Sequence, residues 1–160
     1  MLKIKFIVLG VPTEKFYAEG CKEYLKRLTA HAKVTEIQLK EAYLPKGPNN
    51  AEIVSALEKE AEMIEKELNP KTVVIPLCIE GKELDSPTLA EYIDKKAVDG
   101  FDEIAFIIGS SHGLADRIKS RASLKLSMSK LTFPHSLARL MLYEAVYRAF
   151  EINKGSGYHK

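Results

Sequence analysis

The sequence predicts an α/β domain, a mainly parallel sheet with helices packed on its faces. Strand-length apolar runs alternate with helical patterns from one end of the chain to the other. Two of those runs, Thr72 to Ile79 and Glu103 to Ile108, are apolar almost without interruption, as strands covered on both sides are. At 160 residues and 46% hydrophobic content the chain has the material for one core, so residues 1–160 read as a single domain.

Leu2, Ile4, Phe6 and Val8 alternate with Lys3, Lys5 and Ile7, which gives a strand over 2–9 ending at Gly10-Val11-Pro12. Thr13 is placed to cap a helix over 14–28, where Tyr17, Cys21, Tyr24 and Leu28 recur at helical spacing. Val34, Ile37 and Leu39 suggest a second strand. Lys46-Gly47-Pro48-Asn49-Asn50 breaks that pattern, with Asn50 as the cap of the next helix. Ile53, Leu57, Ala61, Ile64 and Leu68 put one apolar stripe on this otherwise charged helix, which Asn69-Pro70 stops. After the strand over 72–79, Ser86-Pro87 starts a helix through Ala97, with the proline at its first position. The strand over 103–108 leads into Gly109-Ser110-Ser111-His112-Gly113 and a short helix from Leu114. Leu124, Leu126 and Met128 alternate in a last strand, and Pro134 opens the final helix.

That final helix carries apolar residues right around its circumference: Leu137, Leu140, Met141, Leu142, Ala145, Val146, Ala149, Phe150 and Ile152. A helix apolar on every side must be covered on every side. A small domain covers part of it, so either the helix is buried within the monomer or a second subunit completes the cover. A homodimer is the more economical expectation.

The net charge of +2 is unremarkable, but its distribution is not. Residues 117–160 hold nine Lys/Arg against Glu144 and Glu151, a local +7 that leaves −5 for the rest. Such asymmetry favours an anionic partner, although scattered surface lysines give the same tally. Cys21 and Cys78 form neither a disulfide framework nor a metal-spaced cluster, which fits a reducing compartment. No apolar run approaches the ~18 residues of a membrane helix, and the first residues lead straight into a strand rather than a signal peptide. A cytoplasmic protein with no membrane partner is expected.

In open parallel sheets ligands bind where loops converge at the carboxyl ends of strands. Three segments qualify: Leu77 to Lys82, Gly109 to Gly113, and Ser127 to Phe133. Gly109 and Gly113 allow close backbone approach to a ligand, or simply a turn. The loop lacks the Lys-Ser/Thr ending of a phosphate-binding loop, and the first strand lacks the glycine triplet of a dinucleotide fold. No pair of His, Asp or Glu has metal-ligand spacing, and no nucleophile elbow is present, so no metal is expected. What remains is a cleft of backbone and apolar side chains, better suited to an adenosyl ligand than to a triphosphate.

The stretch Ser127-Met128-Ser129-Lys130-Leu131-Thr132-Phe133-Pro134-His135 is followed by Glu144, by Tyr147-Arg148-Ala149-Phe150, and by the closing Gly157-Tyr158-His159-Lys160. In that order these residues resemble the RlmH family of bacterial ribosomal RNA methyltransferases, a branch of the SPOUT superfamily. The Leu77-to-Lys82 segment, Ile107-Ile108-Gly109, the first strand and the Phe16-to-Arg27 helix fit as well, so the resemblance spans the chain. It implies a SPOUT-type α/β knot, with a C-terminal trefoil knot and the cofactor region over about residues 72–160. It further implies a cytoplasmic homodimer that moves a methyl group from S-adenosylmethionine to N3 of a pseudouridine in 23S rRNA, on the assembled ribosome.

Carried over by position, the cofactor contacts are Leu77, Gly109, Met128, Ser129, Lys130, Leu131, Thr132 and Phe133. For Leu77 and Leu131 core packing is the alternative. Arg139 and Arg148 match arginines of the family's terminal helix and would meet RNA phosphates. Glu144 lies four residues before Arg148, so a helix ion pair is an equal reading there. Tyr158 and His159 are the candidates to approach the target base, His159 as general base, unless the terminus is disordered. One departure stands out: the family usually has a second glycine where this chain has Ser110, which is strained if that position needs positive φ. Two other functions fit the same fold: a non-catalytic ribosome-binding assembly factor, and a SPOUT methyltransferase with another RNA target.

Overall fold

A computed structural model describes residues 1–160. Five strands form one sheet: β1 (Lys3–Leu9), β2 (Lys33–Leu39), β3 (Val73–Glu83), β4 (Glu103–Ile108) and β5 (Leu126–Ser127). Their order is β2-β1-β4-β3-β5 and every pairing is parallel. The five helices are α1 (Lys15–Leu28), α2 (Asn50–Glu65), α3 (Ser86–Val98), α4 (Asp116–Ser120) and α5 (His135–Lys154).

Alternation along the central strands divides the core in two. Ile4, Phe6 and Val8 of β1 face the same side as Ile104, Phe106 and Ile108 of β4, and pack with α1, α3 and α5. Ile7 and Leu9 face the other side with Ala105 and Ile107, against Ala61 and Ile64 of α2 and Ile118 of α4. All six residues of β4 are buried, which is why its run reads as continuously apolar. Phe6 lies opposite Phe106 in the register, their rings 5.6 Å apart, and Tyr143 of α5 closes on Phe6 at 4.3 Å.

Local chemistry moves several boundaries from their expected places. Thr13 does not cap α1; its hydroxyl bonds the Glu14 carboxylate, and Glu14 occupies the cap position without a side-chain bond. Asn49 rather than Asn50 caps α2: its side chain accepts from Glu52 N–H at 2.8 Å, and Glu52 accepts from Asn49 N–H at 3.1 Å. β3 continues four residues beyond Ile79, because Lys82 N–H donates to Lys125 O at 2.9 Å. Gly81 makes that possible: a Cβ there would stand 2.8 Å from the Lys125 oxygen and the Leu126 carbonyl carbon. Between Leu77 and Lys82 the register against β5 shifts, and Ile79 is left 76% exposed. β5 itself is two residues long, shorter than the alternation from Leu124 to Met128 predicts.

α5 packs against α1 and α3, its approach to α1 eased by Gly20, where a Cβ would meet Leu140 Cδ1 at 2.9 Å. Its buried side carries Leu142, Tyr143, Val146 and Ala149. Leu137 and Met141, one turn apart, stay partly exposed and belong to neither core cluster. This chain therefore covers most, but not all, of the helix that the sequence makes apolar all round.

Candidate cofactor cleft and C-terminal tail

The three expected segments converge. The ends of β3 and β4 and the turn after β5 enclose a cleft of about 670 Å³ that opens at the carboxyl edge of the sheet. Leu77, Gly109, Met128, Ser129, Leu131, Thr132 and Phe133 all line it. Lys130 sits on the same turn but is exposed and lies outside the lining. Leu131 is 72% exposed, which removes core packing as its role. Leu77 is half-buried and serves both the core and the cleft wall.

The turn from 128 to 133 has no regular structure, so side chains shape it. Ser127 Oγ donates to Ser129 O, and Ser129 Oγ accepts from Leu131 N–H, both at 3.0 Å. Pro134 then fixes the entry to α5, and Ser136 Oγ accepts from Thr13 N–H at 3.3 Å, tying the start of that helix to the turn after β1.

The Gly109–Gly113 loop is closed on itself. Gly113 N–H donates to Ser110 O at 2.9 Å, and Gly113 alone in the loop takes positive φ, at 87°. Ser110 is therefore unstrained, because the left-handed residue stands three positions on. Gly109 serves the second of its two expected uses, a turn. A Cβ there would lie 2.3 Å from the Gly113 oxygen, so the glycine admits the loop's own backbone.

Further residues line the cleft. Lys119 of α4 reaches Glu80 at 2.8 Å across the cleft's rim, and that partner holds the Glu80 carboxyl below its ordinary range. Cys78 faces the cleft with its thiol pushed up by burial. His112 and His135 also line it.

The C-terminal tail forms a second cluster, on the far half of α5. Glu144 holds Arg148 through two bonds of 2.9 and 3.3 Å and accepts from Tyr158 OH at 2.6 Å. The Arg148 guanidinium lies over the Tyr158 ring, 4.7 Å from its centre, and meets His159 Nδ1 at 3.2 Å. The tail is thus packed onto its own helix, and Arg148 makes the ion pair that the spacing allows. The bond to Glu144 pushes the Tyr158 hydroxyl up, so it stays a donor. Arg148 can only donate, so this contact takes the free lone pair of a neutral His159 and leaves its proton on Nε2. Neither tail residue lines the cleft.

Arg139 stands apart from both clusters and from the surface. It is 0% exposed and donates from Nη2 to Gly10 O at 2.9 Å, while Nε and Nη1 have no partner. In this position it braces the turn after β1 rather than presenting a cation to solvent. No group of three His, Cys, Asp or Glu side chains gathers anywhere as a metal site, and no helix is long and apolar enough to cross a membrane.

Known proteins match this sequence over its full length. The family model described as "Predicted SPOUT methyltransferase" matches residues 2–159. The chain is 41% identical to the ribosomal RNA large subunit methyltransferase H of Oenococcus oeni over 160 residues, the whole of both chains. It is 44% identical to the protein of that name from Bacillus pumilus and 43% to that from Bacillus thuringiensis, over 99% of this chain and all of each relative. With the model matched from the first strand to the tail, and a cleft at the carboxyl edge of a parallel sheet, the chain belongs to the SPOUT methyltransferase family.

Proposed function

We propose that this chain methylates N3 of a pseudouridine in 23S rRNA, using S-adenosylmethionine, on the assembled ribosome and as a cytoplasmic homodimer. One observation carries the reading: the cofactor residues inferred from the terminal block, Lys130 excepted, line one cleft with Leu77 and Gly109. Its size lies within the ordinary range for small-ligand sites. Its apolar walls (Leu77, Met128, Leu131, Phe133) suit an adenine and a methionyl chain, and the turn at 127–133 offers backbone groups to the adenine edge. The reading includes a knot over about residues 72–160. It includes a dimer, supported by the uncovered Leu137 and Met141.

The sulfonium of the bound cofactor supplies an activated methyl group. The protein's part is then to hold the base in line with it, exclude water and accommodate the N3 proton. Positioning contributes most of the effect. Tyr158, whose one proton goes to Glu144, donates to a base only on leaving that carboxylate. His159 becomes a base only on leaving Arg148, since that contact occupies its lone pair. Release of the tail from α5 would remove His159 and the Tyr158 ring from Arg148, while its two bonds to Glu144 remain.

The test incubates the protein with methyl-labelled S-adenosylmethionine and ribosomes lacking the modification, then maps the label. Methylation at pseudouridine N3 in 23S rRNA is expected. Label in another RNA overturns the substrate, and a folded protein that fails to bind the cofactor in calorimetry overturns the enzyme reading.

A further inference from the structure

We propose that Glu60 is a positioning residue for the cofactor cleft, a buried carboxylate that braces the Gly109–Gly113 wall against the segment over residues 40–48. This rests on the cofactor reading of the cleft given above. Glu60 lies in the charged helix α2, yet it is only 3% exposed. A buried acid is costly unless its oxygens are satisfied, and here both are. Oε1 accepts from the Ser110 hydroxyl at 3.0 Å, and Oε2 accepts from Ala42 N–H at 2.9 Å.

For each partner the bond is the sole one of its kind. Ser110 to Glu60 is the one side-chain hydrogen bond that the 109–113 loop makes, and Ala42 to Glu60 is the one hydrogen bond anchoring residues 40–48. The bond from Gly113 to Ser110 shapes the loop without fixing it to the α2 side of the sheet. Glu60 supplies that missing attachment. It also fixes the segment that carries Tyr43, an aromatic 87% exposed one residue from the anchored amide. Burial pushes the Glu60 carboxyl up, and the bonds from Ala42 and Ser110 offset part of that rise. Ser110 belongs to the mechanism because a second glycine there would have no hydroxyl to offer.

Calorimetry with S-adenosylmethionine on the full chain tests this, with E60M, E60Q and S110A beside the parent. E60M keeps the length and removes both acceptors, and is expected to weaken binding about tenfold to a hundredfold, as loss of hydrogen bonds to a charged group does. E60Q recovers most of that loss, since its amide oxygen accepts from Ala42 and its NH₂ donates to Ser110 Oγ. S110A gives an intermediate loss. Hydrogen exchange on the ligand-free proteins supplies a readout that a general loss of stability does not mimic: the amides of Ala42 and of 109–113 speed up in E60M while those of β1 and β4 stay protected. A folded E60M with parental affinity and a protected Ala42 overturns the proposal. Should E60M fail to fold, parental affinity in S110A overturns it. A parent that binds no S-adenosylmethionine sinks the cofactor reading, and the exchange pattern alone then decides the brace.

Discussion

Gly109→Ala is the sharpest perturbation of the cleft, because its cost is set by backbone geometry. The added methyl would stand 2.3 Å from the Gly113 oxygen, 2.8 Å from the Gly113 carbonyl carbon and 2.9 Å from Leu114 Cδ2. Ordinary contact begins at 3.4 Å, so the loop must open by about 1.1 Å at its tightest point. The neighbour is main chain on one side and the core residue Leu114 on the other, so neither side yields like a flexible side chain. Overpacking of this kind costs ~1–3 kcal/mol, and a domain of this size loses ~2–4 °C in Tm per kcal/mol. The opening also strains the 2.9 Å bond from Gly113 to Ser110 and so displaces the cleft wall. Calorimetric scanning should find a modest drop in Tm, and titration with S-adenosylmethionine a loss of at least about tenfold. Gly113→Ala is the control: nothing lies within 4 Å of its added methyl, and its cost is the positive φ alone, ~1–2 kcal/mol. A Gly109→Ala protein that is folded and binds S-adenosylmethionine like the parent refutes the view that this loop's closure forms the cleft.

Four further outcomes are expected. Alkylation at pH 8 should be slow at Cys21, whose thiol burial pushes up to about 11, leaving a thiolate fraction of ~10⁻³; Cys78, in the cleft, should be slowed further by S-adenosylmethionine, and an unchanged rate there places the ligand elsewhere. Met141→Glu should shift sedimentation from dimer to monomer with little loss of helix, since that side chain joins neither core cluster; a persistent dimer moves the interface to another face. Tyr158→Phe removes the hydroxyl bonded to Glu144 and should lower kcat about tenfold or more while Tm falls by a few degrees at most; an unchanged kcat removes Tyr158 from the site. Glu60 has a raised folded pKa, so the stability it contributes is complete below its unfolded value and declines as pH rises through the folded one; E60Q should therefore gain on the parent as pH rises above the ordinary carboxylate range, and a flat difference denies the shift.

Much of the fold was legible because the central strands are short and strongly patterned. β4 occupies the six residues that its apolar run predicts, and the parallel sheet follows from strands alternating with helices. The misplaced features turn on pairings that periodicity does not encode. Thr13 has the chemistry of a cap, yet its hydroxyl goes to Glu14. β3 runs past Ile79 because a distant carbonyl, that of Lys125, accepts from Lys82. Periodicity cannot reveal a partner forty residues away.

The site shows the same division more sharply. Converging loops at a sheet's carboxyl edge are predictable from topology, and the cleft lies there. The two charged side chains that the structure buries most completely were readable only by treating charge as an exception within an apolar pattern. Glu60 stands three residues after Leu57 and four before Ile64, so it occupies a position on the apolar stripe of α2. Arg139 stands three residues after Ser136 and three before Leu142, on the buried side of α5. A charged residue at a stripe position must either end the stripe or find partners, and neither helix ends there. Glu60 finds both of its partners in irregular segments, for each of which this is the one bond to α2. That reciprocity explains why an acid is retained where a leucine would pack: the apolar residue would fill the space but leave the Ala42 amide and the cleft loop with nothing to hold them.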